Sequence, residues 1–204
     1  MRGMATNLQV VINSGALAVE DFDGALGTNI VVNGGFADVY GARTISAPIL
    51  LNGGGLSARS GGGTPVFSGT ITVGAGGGYL YNTPGYGAGQ QEYRLTGELT
   101  GSGTLSKFNG SSVFLTGTVA NTANGTLRAH EGYLYLTKPP DVYAWQGPIT
   151  ISNTVSDHAR LFPRNRGQFP PSTVITFQRN TGASFWPYLI LNAQTVVVAG
   201  IQCE

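Results

Sequence analysis

Catalysis or ligand capture by this chain would have to be built from ten carboxylates, two histidines and two dense groups of tyrosines. Glycosidic bond cleavage needs two carboxyl groups about 5 to 9.5 Å apart. Asp38, Asp141 and Asp157 each stand alone in the sequence, so only the fold could bring such a pair together. Glu20, Asp21 and Asp23 form the one acidic cluster, and Asp21-Phe22-Asp23-Gly24 could offer oxygens to calcium. That hard cation takes six or more oxygen ligands, so three acids in one loop read first as an exposed turn. His130 and His158 lack partners at metal-ligand spacing and read as surface or rim residues. Gly101-Ser102-Gly103 belongs to a turn and is no nucleophile elbow, and Gly74 to Gly78 lacks the Lys-Ser/Thr that a phosphate loop requires. The expectation is therefore a non-enzymatic protein without metal or cofactor.

The aromatic residues say more. Tyr79/Tyr81 and Tyr133/Tyr135 occupy alternate positions of strand-like runs, so each pair points one way. Facing out, they could stack on sugar rings. Facing in, or stacked from one repeat to the next as a ladder, they stabilise the fold, and this is the favoured reading. Pro139-Pro140-Asp141-Val142-Tyr143-Ala144-Trp145 cannot continue a strand at its prolines, so it is expected to be a loop. Asp141, Tyr143 and Trp145 are accordingly the expected exposed glycan-contact residues.

Such residues must be held by a framework, and the composition narrows which. Glycine supplies 32 of 204 residues, about one in six, while Lys, Arg, Asp and Glu together supply 10%. The glycines follow no three-residue period, which excludes collagen. A hydrophobic content of 41% with a net charge of +1 opposes disorder. Helix is disfavoured because each interior glycine costs roughly 1 kcal/mol. Near-neutral charge gives no field for nucleic acid or an anionic membrane. The small basic group Arg160, Arg164 and Arg166 reads as a solvated loop that could contact phosphate or acidic sugar. Cys203 is the only cysteine, so no intrachain disulfide forms, and no apolar run of about 18 residues exists for a membrane helix. Any export signal is expected outside this stretch.

What remains is an all-β chain, and its turns recur. A Gly- or Asn-containing turn precedes apolar runs that begin at Ala16, Phe36, Leu56, Tyr79, Val113 and Tyr133, steps of 20, 20, 23, 34 and 20 residues. Two or three strands of about 4 to 6 residues plus turns fill one such step. Stacked circuits would pair their strands in parallel, giving a single-stranded parallel β-helix, or β-solenoid, with coils of about 20 to 26 residues. The 34-residue step is either an extruded loop or a full coil with an unseen turn, and the strand-like Tyr93 to Thr100 favours the coil. Asn-Gly at 33, 52, 109 and 124 fits turns in which Asn adopts left-handed geometry. The rival architecture is an antiparallel sandwich, with Asn-Gly closing hairpins.

Leu95-Thr96-Gly97-Glu98-Leu99-Thr100-Gly101-Ser102-Gly103-Thr104-Leu105-Ser106-Lys107, followed by Val113-Phe114-Leu115-Thr116-Gly117 and Gly125-Thr126-Leu127, resembles the autotransporter-associated β-strand repeat of bacterial passenger domains. Asn109-Gly110-Ser111-Ser112 departs from the usual second Gly-x-Gly, and Ala120 to Thr126 is degenerate. Residues 171–202 are similar to the section that follows such repeats, and the N-terminal half matches loosely. The resemblance implies a right-handed β-helix outside a Gram-negative type cell and brings no catalytic residues. Residues 1–204 are thus expected to form one solenoid domain, a fragment of a longer passenger-like protein without its own membrane barrel. The expected role is structural and adhesin-like, with surface glycans or other cells as partners, no nucleic acid, no direct membrane insertion, and end-to-end self-association through open strand edges. The alternative is a β-helix that binds or cleaves polysaccharide.

Overall fold

The computed structural model describes residues 8–20, 27–59, 63–82, 92–154, 157–180, 182 and 184–204. Among the described residues, twenty-one short strands follow one another: β1 (Gln9–Ile12), β2 (Ala16–Val19), β3 (Asn29–Val32), β4 (Phe36–Tyr40), β5 (Thr44–Ile45), β6 (Ile49–Leu51) and β7 (Gly55–Arg59). Next come β8 (Val66–Phe67), β9 (Ile71–Val73), β10 (Gly78–Asn82), β11 (Glu92–Leu95), β12 (Leu99–Gly101), β13 (Leu105–Lys107) and β14 (Ser112–Leu115). The series ends with β15 (Leu127–Ala129), β16 (Gly132–Leu136), β17 (Ile149–Ser152), β18 (Ala159–Pro163), β19 (Val174–Gln178), β20 (Pro187–Leu189) and β21 (Gly200–Cys203).

These strands build three parallel sheets, the faces of a β-solenoid. The first holds β1-β3-β6-β9-β12, the second β2-β4-β7-β10-β13-β15-β17-β19-β21, and the third β5-β8-β11-β14-β16-β18-β20. Every pairing is parallel, as in β4 on β7 and β16 on β18, so the antiparallel sandwich is excluded. In the second sheet each strand lies on the one a full circuit earlier, at offsets between 19 (Phe36 on Gly55) and 27 residues (Gly78 on Leu105). That 27-residue circuit resolves the long step: Tyr79 lies on Ser106 in the second sheet, whereas Val113 belongs to the third. The sequence series had changed face after one complete coil.

Period-two alternation sends one side of each strand inward. Leu134 and Leu136 of β16 are buried, and Tyr133 and Tyr135, which alternate with them, face out. In the second sheet the inward column runs Ala37, Leu56, Leu80, Lys107, Ala129 and Ile151, all buried.

Where coils turn, backbone meets backbone. A Cβ on Gly103 would strike the Gly74 carbonyl, one on Gly125 the Gly103 carbonyl, and one on Gly147 the Gly125 carbonyl, so this column admits only glycine. The asparagines work differently from the expectation at three positions, since Asn33, Asn52 and Asn124 are not left-handed. Asn109 has φ 53, but beside Asn33 and Asn52 the left-handed residues are Gly35 and Gly53. Asn33 and Asn52 instead form a side-chain ladder: Asn33 Nδ2 donates to Asn13 Oδ1 (2.9 Å) and Asn52 Nδ2 to Asn33 Oδ1 (3.4 Å).

The first sheet stops at β12, and a polar interior takes over its work. Asn121 is 1% exposed, accepts the Leu99 N–H on Oδ1 (2.9 Å) and donates from Nδ2 to the Ala144 carbonyl (2.8 Å). Two coils later, buried Gln168 accepts from Lys138 N (3.0 Å) and donates to Lys138 O (3.0 Å).

Candidate functional site

The loop expected around Asp141 is present, but it brings together only part of the expected set. Asp141 and Tyr143 border a cleft of about 350 Å³ with Arg166, Gln168, Phe169, Thr195 and Val196. Asp141 holds a positive φ of 62° and accepts from Arg166 Nε at 3.0 Å and Nη2 at 2.8 Å. Trp145 is the correction. Its side chain is 0% exposed and its Nε1 donates 3.0 Å to Gly125 O, so it packs under the loop and offers no ring to a sugar. Pro139 and Pro140 do break the strand, but the following residues return to the solenoid wall, where a large apolar ring gains more by burial than by exposure.

Of the acidic turn, Glu20 is exposed, and its carbonyl accepts from Arg43 Nε at 3.0 Å; Asp21 and Asp23 lie outside the described residues. Each of the three isolated acids is tied to an arginine: Asp38 to Arg59, Asp141 to Arg166 (2.8 Å), and Asp157 to Arg160 (3.6 Å). Ring stacking and hydrogen bonds also engage the histidines. His130 stacks on Phe108 at 4.5 Å, and its Nδ1 lies 2.7 Å from Ser152 Oγ, while burial first and Arg128 second lower its pKa. Nδ1 of His158 accepts the Trp186 N–H at 2.8 Å.

The densest constellation lies on the outside of the third sheet. Parallel register stacks Arg94, Phe114, Tyr135 and Phe162 in one column and Tyr133, Arg160 and Tyr188 in the next. Adjacent strands are about 4.8 Å apart, which is ring-stacking distance. Tyr135 accordingly stacks on Phe114 at 4.4 Å and on Phe162 at 4.6 Å. The tyrosines thus face outward and form a cross-coil ladder, combining the two orientations that the sequence left as alternatives. Their ring faces are spent on one another, and solvent meets ring edges and hydroxyls.

Arginines cap this ladder. Arg94 lies 5.6 Å from the Phe114 centroid, Arg160 4.7 Å from Tyr133, and Arg164 5.0 Å from Tyr135 and 5.1 Å from Phe162. Such contacts contribute about 0.5–2 kcal/mol. Arg160 stands within β18, a correction to the expected basic loop, whereas Arg164, directly after β18, and Arg166 lie outside any strand. Beside the ladder, Arg94, Phe114, Thr116 and Thr137 enclose a concavity of about 290 Å³. Residue types alone did not reveal this site, because it exists only through coil-to-coil register.

Two polar centres lie inside. Lys107 Nζ donates to the carbonyls of Phe108 (3.0 Å), Glu131 (2.9 Å) and Asn109. Burial lowers its pKa to about 7, against the raising influence of Glu131 and then Asp157. Glu131 accepts the Asn109 N–H at 2.8 Å and the Thr154 hydroxyl, and burial raises its carboxyl pKa. Lys138 Nζ donates to Thr116 O (2.8 Å) and Val119 O (2.6 Å), and burial lowers its pKa to about 8. Both ammonium groups bind turn carbonyls and work as internal braces.

No family model, characterised protein or solved structure matches this chain.

Proposed function

We propose that the chain is a non-enzymatic, structural and adhesin-like β-solenoid segment of a secreted or surface-exposed bacterial passenger protein. The observation that carries this reading is the second sheet, which continues through nine parallel strands from Ala16 to Cys203. Every coil is hydrogen-bonded to the next, so the molecule is a stack that holds side chains at fixed intervals on its flanks. The passenger assignment and the location outside a Gram-negative type cell draw support from the motif resemblance of residues 93–138. Surface glycans or other cells are the proposed partners. A further copy is the partner proposed at the ends, adding a strand beside β21, where Ile201 is 60% exposed.

Beads coated with the chain should be retained on cell layers, and the chain should release no reducing ends from a polysaccharide panel. Retention no better than albumin-coated beads refutes adhesion, and glycan turnover refutes the non-enzymatic reading. The lateral cleft at Asp141 and Tyr143 and the concavity at Arg94 favour a second reading, polysaccharide binding without cleavage.

A further inference from the structure

We propose that the outer face of the third sheet, between Arg94 and Arg164, binds a linear acidic polysaccharide laid along the solenoid axis. The inference deepens the adhesin reading by naming a site and a ligand class, and it rests on that reading.

The first ground is the state of the arginines. Arg164 is exposed and held over Tyr135 and Phe162, yet its guanidinium has no hydrogen-bond acceptor or acidic partner among the described residues. Stacking uses the flat face of a guanidinium and leaves its in-plane N–H groups free, the geometry that takes a carboxylate in a two-pronged bond. Arg160 is fixed in the same manner over Tyr133, with its nearest carboxylate, Asp157, at 3.6 Å. Arg94 shares Glu92 Oε1 (2.8 Å from Nη2), and its side chain is 51% exposed. Glu92 and Asp157 are the acids beside these guanidiniums, and each already faces an arginine.

The second ground is what lies between them. Among the described residues, the hydroxyls of Tyr133, Tyr135 and Thr116 make no hydrogen bond to protein, and Thr137 Oγ1 donates to Leu115 O at 3.2 Å. Outward hydroxyls and ring edges between cationic forks suit a chain of sugar hydroxyls that carries carboxylates at intervals. The ladder's faces are occupied, so recognition is through charge and hydroxyls and not through sugar stacking.

The third ground is spacing. Arg94 on β11 and Arg160 on β18 are three inter-strand steps apart, about 14 Å at about 4.8 Å each. A single uronic acid cannot reach both, whereas a short oligomer running along the axis can. Binding should therefore grow with chain length. A net charge of +1 supplies no general field for polyanions, so the selectivity expected is for carboxylates presented at this interval.

The test is calorimetric titration of the full chain with galacturonate, mannuronate and hyaluronan series from monomer to hexamer, beside neutral malto-oligomers and single-stranded DNA. At least one acidic hexamer should bind saturably, its monomer should not, and added salt should weaken the binding. R160Q/R164Q should weaken it by about tenfold or more. R128Q, on the second sheet, should not change it. Absence of binding to all three acidic series, equal binding of neutral oligomers or DNA, or an unchanged R160Q/R164Q protein overturns the proposal. Bead retention without acidic-glycan binding removes this site and leaves the adhesin reading. Hydrolysis of the bound oligomer removes the non-enzymatic reading and leaves the site.

Discussion

Replacing Asn121 by leucine keeps the side-chain volume close to native and deletes two buried hydrogen bonds at once. The native amide accepts from Leu99 N at 2.9 Å and donates to Ala144 O at 2.8 Å, tying three successive coils where the first sheet has ended. Leucine would leave a buried N–H and a buried carbonyl without these partners, and an orphaned group of this kind costs about 1–3 kcal/mol. The expected loss for the two groups is therefore about 2–6 kcal/mol, a large part of the 5–15 kcal/mol by which domains are typically stable. Because solenoids unfold locally as well as globally, the informative assay is amide exchange alongside urea denaturation. The Leu99 amide should become one of the fastest-exchanging interior amides in N121L, while amides of β3 and β6 at the far end change little. If Leu99 remains as protected as in the native chain, Asn121 is not its acceptor and the reasoning fails.

Gly125→Ala should cost about 1–3 kcal/mol in urea denaturation, because the new methyl points into the backbone carbonyls of Gly103 and Ser102, which cannot rotate away. Gly200→Ala, where nothing lies within 4 Å, should change stability by less than about 0.5 kcal/mol. Tyr135→Leu should lose about 1–3 kcal/mol from its ring stacks on Phe114 and Phe162 and much of the near-ultraviolet circular dichroism, whereas loss of neither would deny the ladder. Lys107 has a folded pKa near 7, below the ordinary 10.5, so the folded state binds fewer protons than the unfolded chain between those values. Its contribution to stability should rise with pH across that window, a slope that Lys107→Met should lose; a native stability that climbs no faster than the variant's refutes the assignment.

Strand phase was legible wherever an apolar residue alternated with a polar or aromatic one, as at Tyr133-Leu134-Tyr135-Leu136, because one side of a coil wall must be dry. The loop at Pro139 was legible too, through the backbone restrictions of proline. Trp145 was misplaced because its burial depends on a carbonyl at Gly125, one coil away, that accepts its N–H. The arginine-capped ladder was hidden for a related reason. Phe162 meets Tyr135 only at a 27-residue offset, whereas Tyr135 meets Phe114 at 21, and unequal coil lengths prevent a fixed step from predicting such columns. Lys107 alternates correctly for an inward position, but its charge argues for the outside until the turn carbonyls that receive it are known.

The two lysines also bear on why so little charge is found in this chain. Lys107 and Lys138 are its only lysines, and both are fully buried. In a solenoid the strands satisfy their backbone by stacking, but the turn carbonyls at Phe108, Asn109, Thr116 and Val119 do not belong to that ladder. A long side chain ending in three donors can collect several of them from the inside, whereas a short amide such as Asn121 serves one donor and one acceptor. The flexible cations are thereby withdrawn from the surface, and the cationic groups left along the third sheet are arginines fixed by stacking on aromatic rings. A surface of this kind attracts weakly from a distance and discriminates at contact, because a pre-positioned guanidinium loses little freedom when a carboxylate arrives. Low charge and selective capture of an acidic chain are therefore compatible properties of the same architecture.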